Sequence, residues 1–204
     1  MTRNGGFSPY DAIADRYDEL FSDPKGLEEE ARVIDLVRCE GGDVLDIGCG
    51  TGLLLDYHGQ MPGYIGVDPS QNMIEKAVQK HANRDQFVCS TFEAFETNAR
   101  FDLIVALFGA ASYVDPEALS RVPRMLKPGG RSFLMFYANS YEPVTYQKTG
   151  MLPPSRHLFN RLRWPTGAVE PFGNYWIVRG TGRDEILLEQ DGFGGRPRAH
   201  ALAL

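Results

Sequence analysis

Cysteine is scarce in this chain. Cys39, Cys49 and Cys89 cannot all pair with one another and form no C-x-x-C spacing, so neither a disulfide framework nor a thiolate metal centre is readable. Histidine is as sparse: His58, His81, His157 and His200 are too scattered for a ligand cluster, and no metal site is expected. Long apolar runs are also missing. The longest, Leu103 to Ala111, is about half of what a bilayer requires, and the opening MTRNGGFSPYDAIADRYDEL lacks the apolar centre of a signal peptide. A cytoplasmic protein without membrane contact is expected. Basic charge is in deficit, with 21 Lys and Arg against 27 Asp and Glu, and the net charge of −6 repels a phosphate backbone at long range. Nucleic acid is thereby a disfavoured partner. Gly 22 and Pro 13 follow no period, which removes collagen-like, disordered and repeat classes.

What is present fits one globular domain. A chain of 204 residues buries roughly 70% of the surface its unfolded form exposes, enough to fold without a disulfide or structural metal. Residues 27–38, LEEEARVIDLVR, put Leu27, Ala31, Ile34 and Val37 on one helical face, with Gly41-Gly42 as the stop. VLDI (44–47) and YIGV (64–67) read as buried strands, and LLLDYHGQM between them supplies a crossover. After the second strand, Ser70 can cap a helix whose Met73, Ile74, Ala77 and Val78 share a face. QFVC (86–89) and FDLIVALF (101–108) continue the series of strands. A helix is expected from Asp115-Pro116 to Met125, kinked or shortened by Pro123, then a turn at Lys127-Pro128-Gly129-Gly130 and a fifth strand at 131–137. Alternation of strand and helix implies an α/β doubly wound sheet, whose ligands bind outside the strand C-termini.

VLDIGCGTG, residues 44–52, carries the chemistry. A strand runs into Gly48, Gly50 and Gly52, where missing side chains permit positive φ and close backbone approach to a ligand. Asp68, at the end of the second strand, can accept both hydroxyl protons of a ribose, which makes a nucleoside the expected ligand. A dinucleotide fingerprint would read G-x-G-x-x-G, but here the third glycine comes one residue early and Leu53 stands in its place. Acidic Asp46 is a poor neighbour for pyrophosphate and a plausible partner for an ammonium group, or alternatively only a helix cap.

These residues resemble the class I S-adenosylmethionine-dependent methyltransferases. The resemblance extends through YDAIADRYD, GVDPSQNMIEKA, FDLIVALFGAASYV and MLKPGG, in order, over most of residues 8–137. It implies a Rossmann-like doubly wound, mostly parallel sheet flanked by helices, with a short lid insertion, and S-adenosyl-L-methionine as cofactor. By position it implies that Gly48 and Gly50 hold the methionyl part with Asp46 in support, Asp68 binds the ribose, and Met73 lies beside adenine. Thr91 stands where the family usually has an acid that contacts the adenine amine, the backbone of Phe92 reads the ring, and Leu107 approaches the sulfonium. Tyr17, spaced helically with Tyr10 and Ile13, reads either as core packing or as part of an N-terminal lid over the donor.

The implied reaction is N- or O-methylation of a small-molecule acceptor. Tyr113 falls about where similar sugar N-methyltransferases have a histidine, and as a much weaker base it is expected either to position the acceptor or to pack. The alternatives are a donor-binding module without catalysis and, disfavoured by the displaced glycine, a nicotinamide oxidoreductase. One domain is divided into a lid helix at 1–26, a cofactor-binding core at 27–137, a variable substrate lid at 138–180, and a C-terminal helix and strand at 181–204. Residues 143–169 contain Lys148, Arg156, Arg161 and Arg163 without an acid, which reads as a solvated face or as a lid that greets an anionic acceptor. For the tail, NYWIVRG supplies a strand or the sheet is shorter than usual, and DEILLEQDGF reads as the last helix.

Overall fold

The computed structural model describes residues 8–138, 162–163, 169–183 and 187–188. Seven strands form the main sheet: β1 (Val44–Ile47), β2 (Tyr64–Asp68), β3 (Phe87–Cys89), β4 (Phe101–Ala106), β5 (Leu126–Tyr137), β7 (Val169–Phe172) and β8 (Tyr175–Thr181), in the order β3-β2-β1-β4-β5-β8-β7. The first five run parallel, β8 is antiparallel to β5, and β7 is antiparallel to β8. The strand order reverses between β1 and β4, so the loops after these two strands open onto one crevice, the place where doubly wound sheets take their ligands.

The near-continuous apolar strands are covered on both sides, as parallel strands must be. On one face Val44, Leu103, Val105 and Phe133 pack with Val33, Val37, Leu54 and Ile74 from α2 (Pro24–Val37), α3 (Leu53–His58) and α4 (Gln71–His81). On the other, Leu45, Ile47, Ile104 and Leu134 meet Leu119 and Val122 of α5 (Pro116–Leu119) and α6 (Val122–Met125). Asp46 shares the face of Val44, so the strand drives a carboxylate into the first of these layers.

Several local expectations are corrected. The helix expected at 27–38 begins three residues earlier, because Asp23 accepts the N–H groups of Lys25 and Gly26 and Pro24 occupies the first turn. Its last carbonyls receive guanidinium groups: Arg131 donates to Val37 and Arg38, and Arg179 to Leu36. The stretch from Tyr10 to Tyr17 is not one helix but two 3₁₀ turns, Pro9–Ala12 and Ala14–Arg16, followed by the single-turn α1 (Tyr17–Leu20). The Ser8 side chain accepts the Tyr10 N–H and Asp11 answers the Ser8 N–H, which closes the first turn on itself. The interruption expected from Pro123 in the helix at 115–125 is present: the stretch forms two short helices, α5 and α6, with Pro123 in the first turn of the second.

The KPGG turn sits inside β5. Leu126 pairs with Phe101 and Arg131 with Leu103, so residues 127–130 loop out of a strand that continues on both sides. NYWIVRG does supply a strand, β8. Residues 169–180, assigned to a substrate lid, instead build the β7–β8 hairpin at the sheet edge. Leu187–Leu188 (β9) pairs antiparallel with Leu162–Arg163 (β6) where a helix was expected. Residues 139–161, with Lys148, Arg156 and Arg161, lie outside the described residues, as do the side chain of Arg163 and the tail after 188.

Candidate functional site

The loop between β1 and α3 is shaped by main-chain bonds. Gly48, at φ +71°, turns the chain so that its own N–H and that of Cys49 both donate to the Val67 carbonyl, at 2.7 and 3.2 Å. Gly50, at φ +54°, has no atom within 4 Å of the point where a Cβ would stand. Bare peptide there faces open space that a ligand can enter.

Two buried carboxylates border that space. Asp68 is 8% exposed; its Oδ2 accepts the Gly50 N–H at 3.0 Å and its Oδ1 the Ser70 N–H at 2.8 Å. Burial pushes the Asp68 carboxyl up to about 6, against these two hydrogen bonds. Asp46, 3% exposed, accepts the Tyr64 hydroxyl at 2.9 Å, and burial pushes its carboxyl up to about 7, with Asp68 adding to the rise. Tyr64 reaches it across Gly66, two residues along the same strand face, where a Cβ would come within 2.8 Å of the hydroxyl. Sequence reasoning missed this pair; a tyrosine followed two residues later by glycine in a strand was the available signal.

A cavity of about 450 Å³ opens here, and Tyr17, Asp46, Gly48, Gly50, Asp68, Met73, Thr91, Phe92, Leu107 and Tyr113 all line it. The residues singled out in the sequence are thus brought to one place. Their settings differ. Met73 is buried at the start of α4 among Ile13 and Ala14. The Thr91 hydroxyl oxygen accepts the Ala94 N–H, a local turn, and the Phe92 ring lies under the Arg121 guanidinium, 4.9 Å from its centroid. An acid does line this end of the cavity, two residues beyond Thr91: Glu93, whose carboxylate accepts the Asp115 N–H at 2.7 Å. Among the described residues lining the cavity there is no histidine, lysine or arginine.

The segment before α2 is fastened over this cavity by two aspartates that sequence reasoning did not single out. Asp11 accepts the Ser70 hydroxyl at 2.6 Å and the Asn72 N–H at 3.1 Å, at the N-terminus of α4. Asp18 accepts the Thr51 hydroxyl at 2.6 Å and the Lys80 ammonium at 2.8 Å, at the glycine loop and the far end of α4. Burial works to raise both carboxyls, but these hydrogen bonds, and for Asp18 the Lys80 charge, hold both below the usual range. Between them Tyr17 sets its ring 6.0 Å from Tyr10 and 5.1 Å from Phe21, and the Tyr10 hydroxyl meets that of Tyr113 at 3.1 Å. Burial, with Tyr137 and the nearby acids adding, pushes the Tyr17 phenol far above its ordinary value, so its hydroxyl keeps its proton.

A second cavity of about 770 Å³ adjoins the first and shares Tyr10, Tyr17, Thr51, Leu53 and Phe108 with it. Among the described residues no group of three His, Cys, Asp or Glu is placed to hold a metal ion, and no helix is long and apolar enough to cross a membrane.

Comparison with known proteins agrees with this geometry. Residues 44–130 match a family model described as a methyltransferase domain. The chain is 39% identical over 178 residues to a ubiquinone biosynthesis O-methyltransferase of Bradyrhizobium diazoefficiens, covering 72% of this chain and 70% of that one. It is 30% identical over 135 residues to the Coxiella burnetii protein of the same name, of whose length it spans 55%. In fold it is similar to an S-adenosylmethionine-dependent methyltransferase of Thermotoga maritima titled a possible histamine N-methyltransferase, with TM-score 0.61, 20% identity, and coverage of 86% of this chain and 98% of that one.

Proposed function

The chain belongs to the class I S-adenosylmethionine-dependent methyltransferases, and we propose that it methylates a small-molecule acceptor at nitrogen or oxygen. One observation carries this reading: an open-faced glycine loop and a buried strand-end carboxylate border the same cavity, large enough for a nucleoside-bearing ligand. When bound, the donor supplies an electrophilic methyl group on a sulfonium. Asp68 is suited to accept the ribose hydroxyls with the oxygen capacity its two backbone bonds leave over, and Asp46 to face the donor's ammonium group. Met73 and Phe92 offer apolar walls for adenine, the backbone at Phe92 its reading edge, and Leu107 an apolar contact toward the sulfonium. The O-methyltransferase names of the curated relatives support a small acceptor.

Methyl transfer from a sulfonium to an unprotonated nucleophile needs chiefly that the nucleophile be held at attack distance and that water be excluded. Tyr113, 40% exposed at the mouth, is placed to orient that nucleophile through Tyr10, whose hydroxyl it meets at 3.1 Å and which lines both cavities. Turnover of labelled methyl groups from the donor into a pool of small acceptors tests the reading, and Tyr113→Phe is expected to lower kcat about tenfold with donor affinity unchanged. Unaltered turnover in this variant would remove Tyr113 from the mechanism, and tight donor binding without any transfer would favour a non-catalytic donor-binding module.

Tyr17 contributes both a ring face and a hydroxyl donor to the cavity. Tyr17→Ala is expected to weaken donor binding about tenfold and Tyr17→Phe about threefold, since the latter keeps the face that attracts a sulfonium. Calorimetric titration with S-adenosylhomocysteine and S-adenosylmethionine checks this; identical affinities in all three proteins would leave Tyr17 a packing residue.

A further inference from the structure

We propose that the 770 Å³ cavity is the acceptor site and that it selects an organic cation, an amine-bearing molecule with an apolar body; this rests on the methyl-transfer reading above. The cavity adjoins the donor cavity along Tyr17 and Phe108, so a molecule seated in it reaches the place where the donor is to be held. Phe108 adopts φ +48°, a conformation that costs a bulky L-residue energy, and the fold retains it at the wall between the two cavities. Its ring stands 6.1 Å from that of Tyr175, which in turn stacks on Tyr137 at 5.7 Å. These aromatic faces suit an apolar body and attract a cation.

Among the described residues the charge lining is one-sided: six carboxylates (Asp18, Asp23, Glu28, Glu29, Glu30 and Asp56) meet two cationic side chains, Lys25 and Arg32. Some are already engaged: Lys80 pairs with Asp18 and Asp56 at 2.8 and 2.7 Å, Asp23 caps α2, and Arg32 lies over the Phe172 ring. Glu29 makes no hydrogen bond or ion pair among the described residues, and Glu30 accepts only the Tyr57 hydroxyl, at 3.4 Å. Burial raises both of these carboxyls above the usual range, against the opposing pull of the Arg32 charge on Glu29 and of the Tyr57 hydroxyl and the Lys80 charge on Glu30. Partly dehydrated, weakly partnered carboxylates beside aromatic faces stabilise a bound ammonium group and repel a carboxylate or phosphate. Electrostatics here therefore favours the opposite sign of acceptor from the one suggested by Lys148, Arg156, Arg161 and Arg163.

The test uses three ring-matched probes on the full chain saturated with S-adenosylhomocysteine: tyramine, neutral 4-propylphenol and anionic 3-(4-hydroxyphenyl)propanoate. Calorimetry is expected to show tyramine binding at least tenfold more tightly than the neutral probe, with the anion weakest. In Glu29→Gln/Glu30→Gln the three affinities should fall within threefold of one another, with Glu29→Gln alone intermediate. Melting temperature and S-adenosylhomocysteine affinity should stay at wild-type values, because neither glutamate lines the donor cavity. Equal or reversed preference in the wild type, no binding of any probe to the saturated protein, or a preference kept by the double variant would each overturn the proposal. Failure of S-adenosylhomocysteine itself to bind would overturn the donor reading beneath it, and the first titration separates the two.

Discussion

Asp68→Ala is expected to weaken S-adenosylhomocysteine binding by at least a hundredfold. A buried carboxylate that accepts two ribose hydroxyls contributes two charge-assisted hydrogen bonds, each about 1.5–3 kcal/mol. The substitution also strips the acceptor from the Gly50 and Ser70 N–H groups, so the loop loses the anchor that holds its bare peptide toward the ligand. Asp68→Asn, which keeps the volume but not the charge, should fall between. Affinity in the wild type should drop more steeply as pH falls below about 6, because the raised Asp68 carboxyl takes up a proton that ribose binding must displace, while Asp68→Ala should keep only the dependence that Asp46, at about 7, imposes on the ammonium contact. Calorimetry at pH 5, 6, 7 and 8 reads all of this. A variant within threefold of wild type and folded normally would mean that the diol is held elsewhere.

Asp46→Asn is expected to do the reverse to stability. The Asp46 carboxyl lies at about 7 in the folded protein against 3.8 for the free side chain, so between those values the folded state binds more protons than the unfolded one. Stability from this group is therefore undiminished below pH 4, declines as pH rises, and levels off above pH 7. At pH 8 the ionised, buried carboxylate costs on the order of 4 kcal/mol relative to a neutral one. Asparagine can still accept the Tyr64 hydroxyl, so the unliganded variant should be about 2–4 kcal/mol more stable at pH 8, with the difference shrinking toward pH 5. Donor affinity should fall at the same time, an activity-for-stability exchange expected of a buried charge kept for its ligand. Denaturant titrations across this pH range decide the matter; parallel stability profiles for the two proteins would show that the burial carries no such penalty.

Legibility in the sequence followed the range of the interactions involved. β1, β2 and β4 were readable because parallel strands covered on both sides need unbroken apolar runs, and the glycine loop because its backbone conformations demand that residue. Asp68 followed from its position at a strand end. Asp11 and Asp18 were not readable, since their partners Ser70, Asn72 and Lys80 lie 59 to 62 residues away and no local period records such a pairing. The break of residues 8–20 into short turns defeated a helical spacing that Tyr10, Ile13 and Tyr17 share with a true helix, because the Ser8–Asp11 turn is satisfied locally. KPGG was correctly a reversal signal, yet pairing on either side absorbed it into β5 as a bulge. The cavity that adjoins the donor site was invisible for a different reason: its carboxylates come from α2, α3 and the turns before them, and only the packing of these elements turns an ordinary charged helix face inward.

The fastening of the leading segment has a dynamic consequence. Its two aspartates hold the first turn of α4, its last turn and the Thr51 hydroxyl, so lifting the segment frees Asn72 and Thr51 in the same event. Opening of this segment is then expected to be no flap swinging above a rigid base. Roof and floor are expected to open as one cooperative unit, with the amide of Asn72 exchanging with solvent on the timescale of that opening, which native-state hydrogen exchange reads.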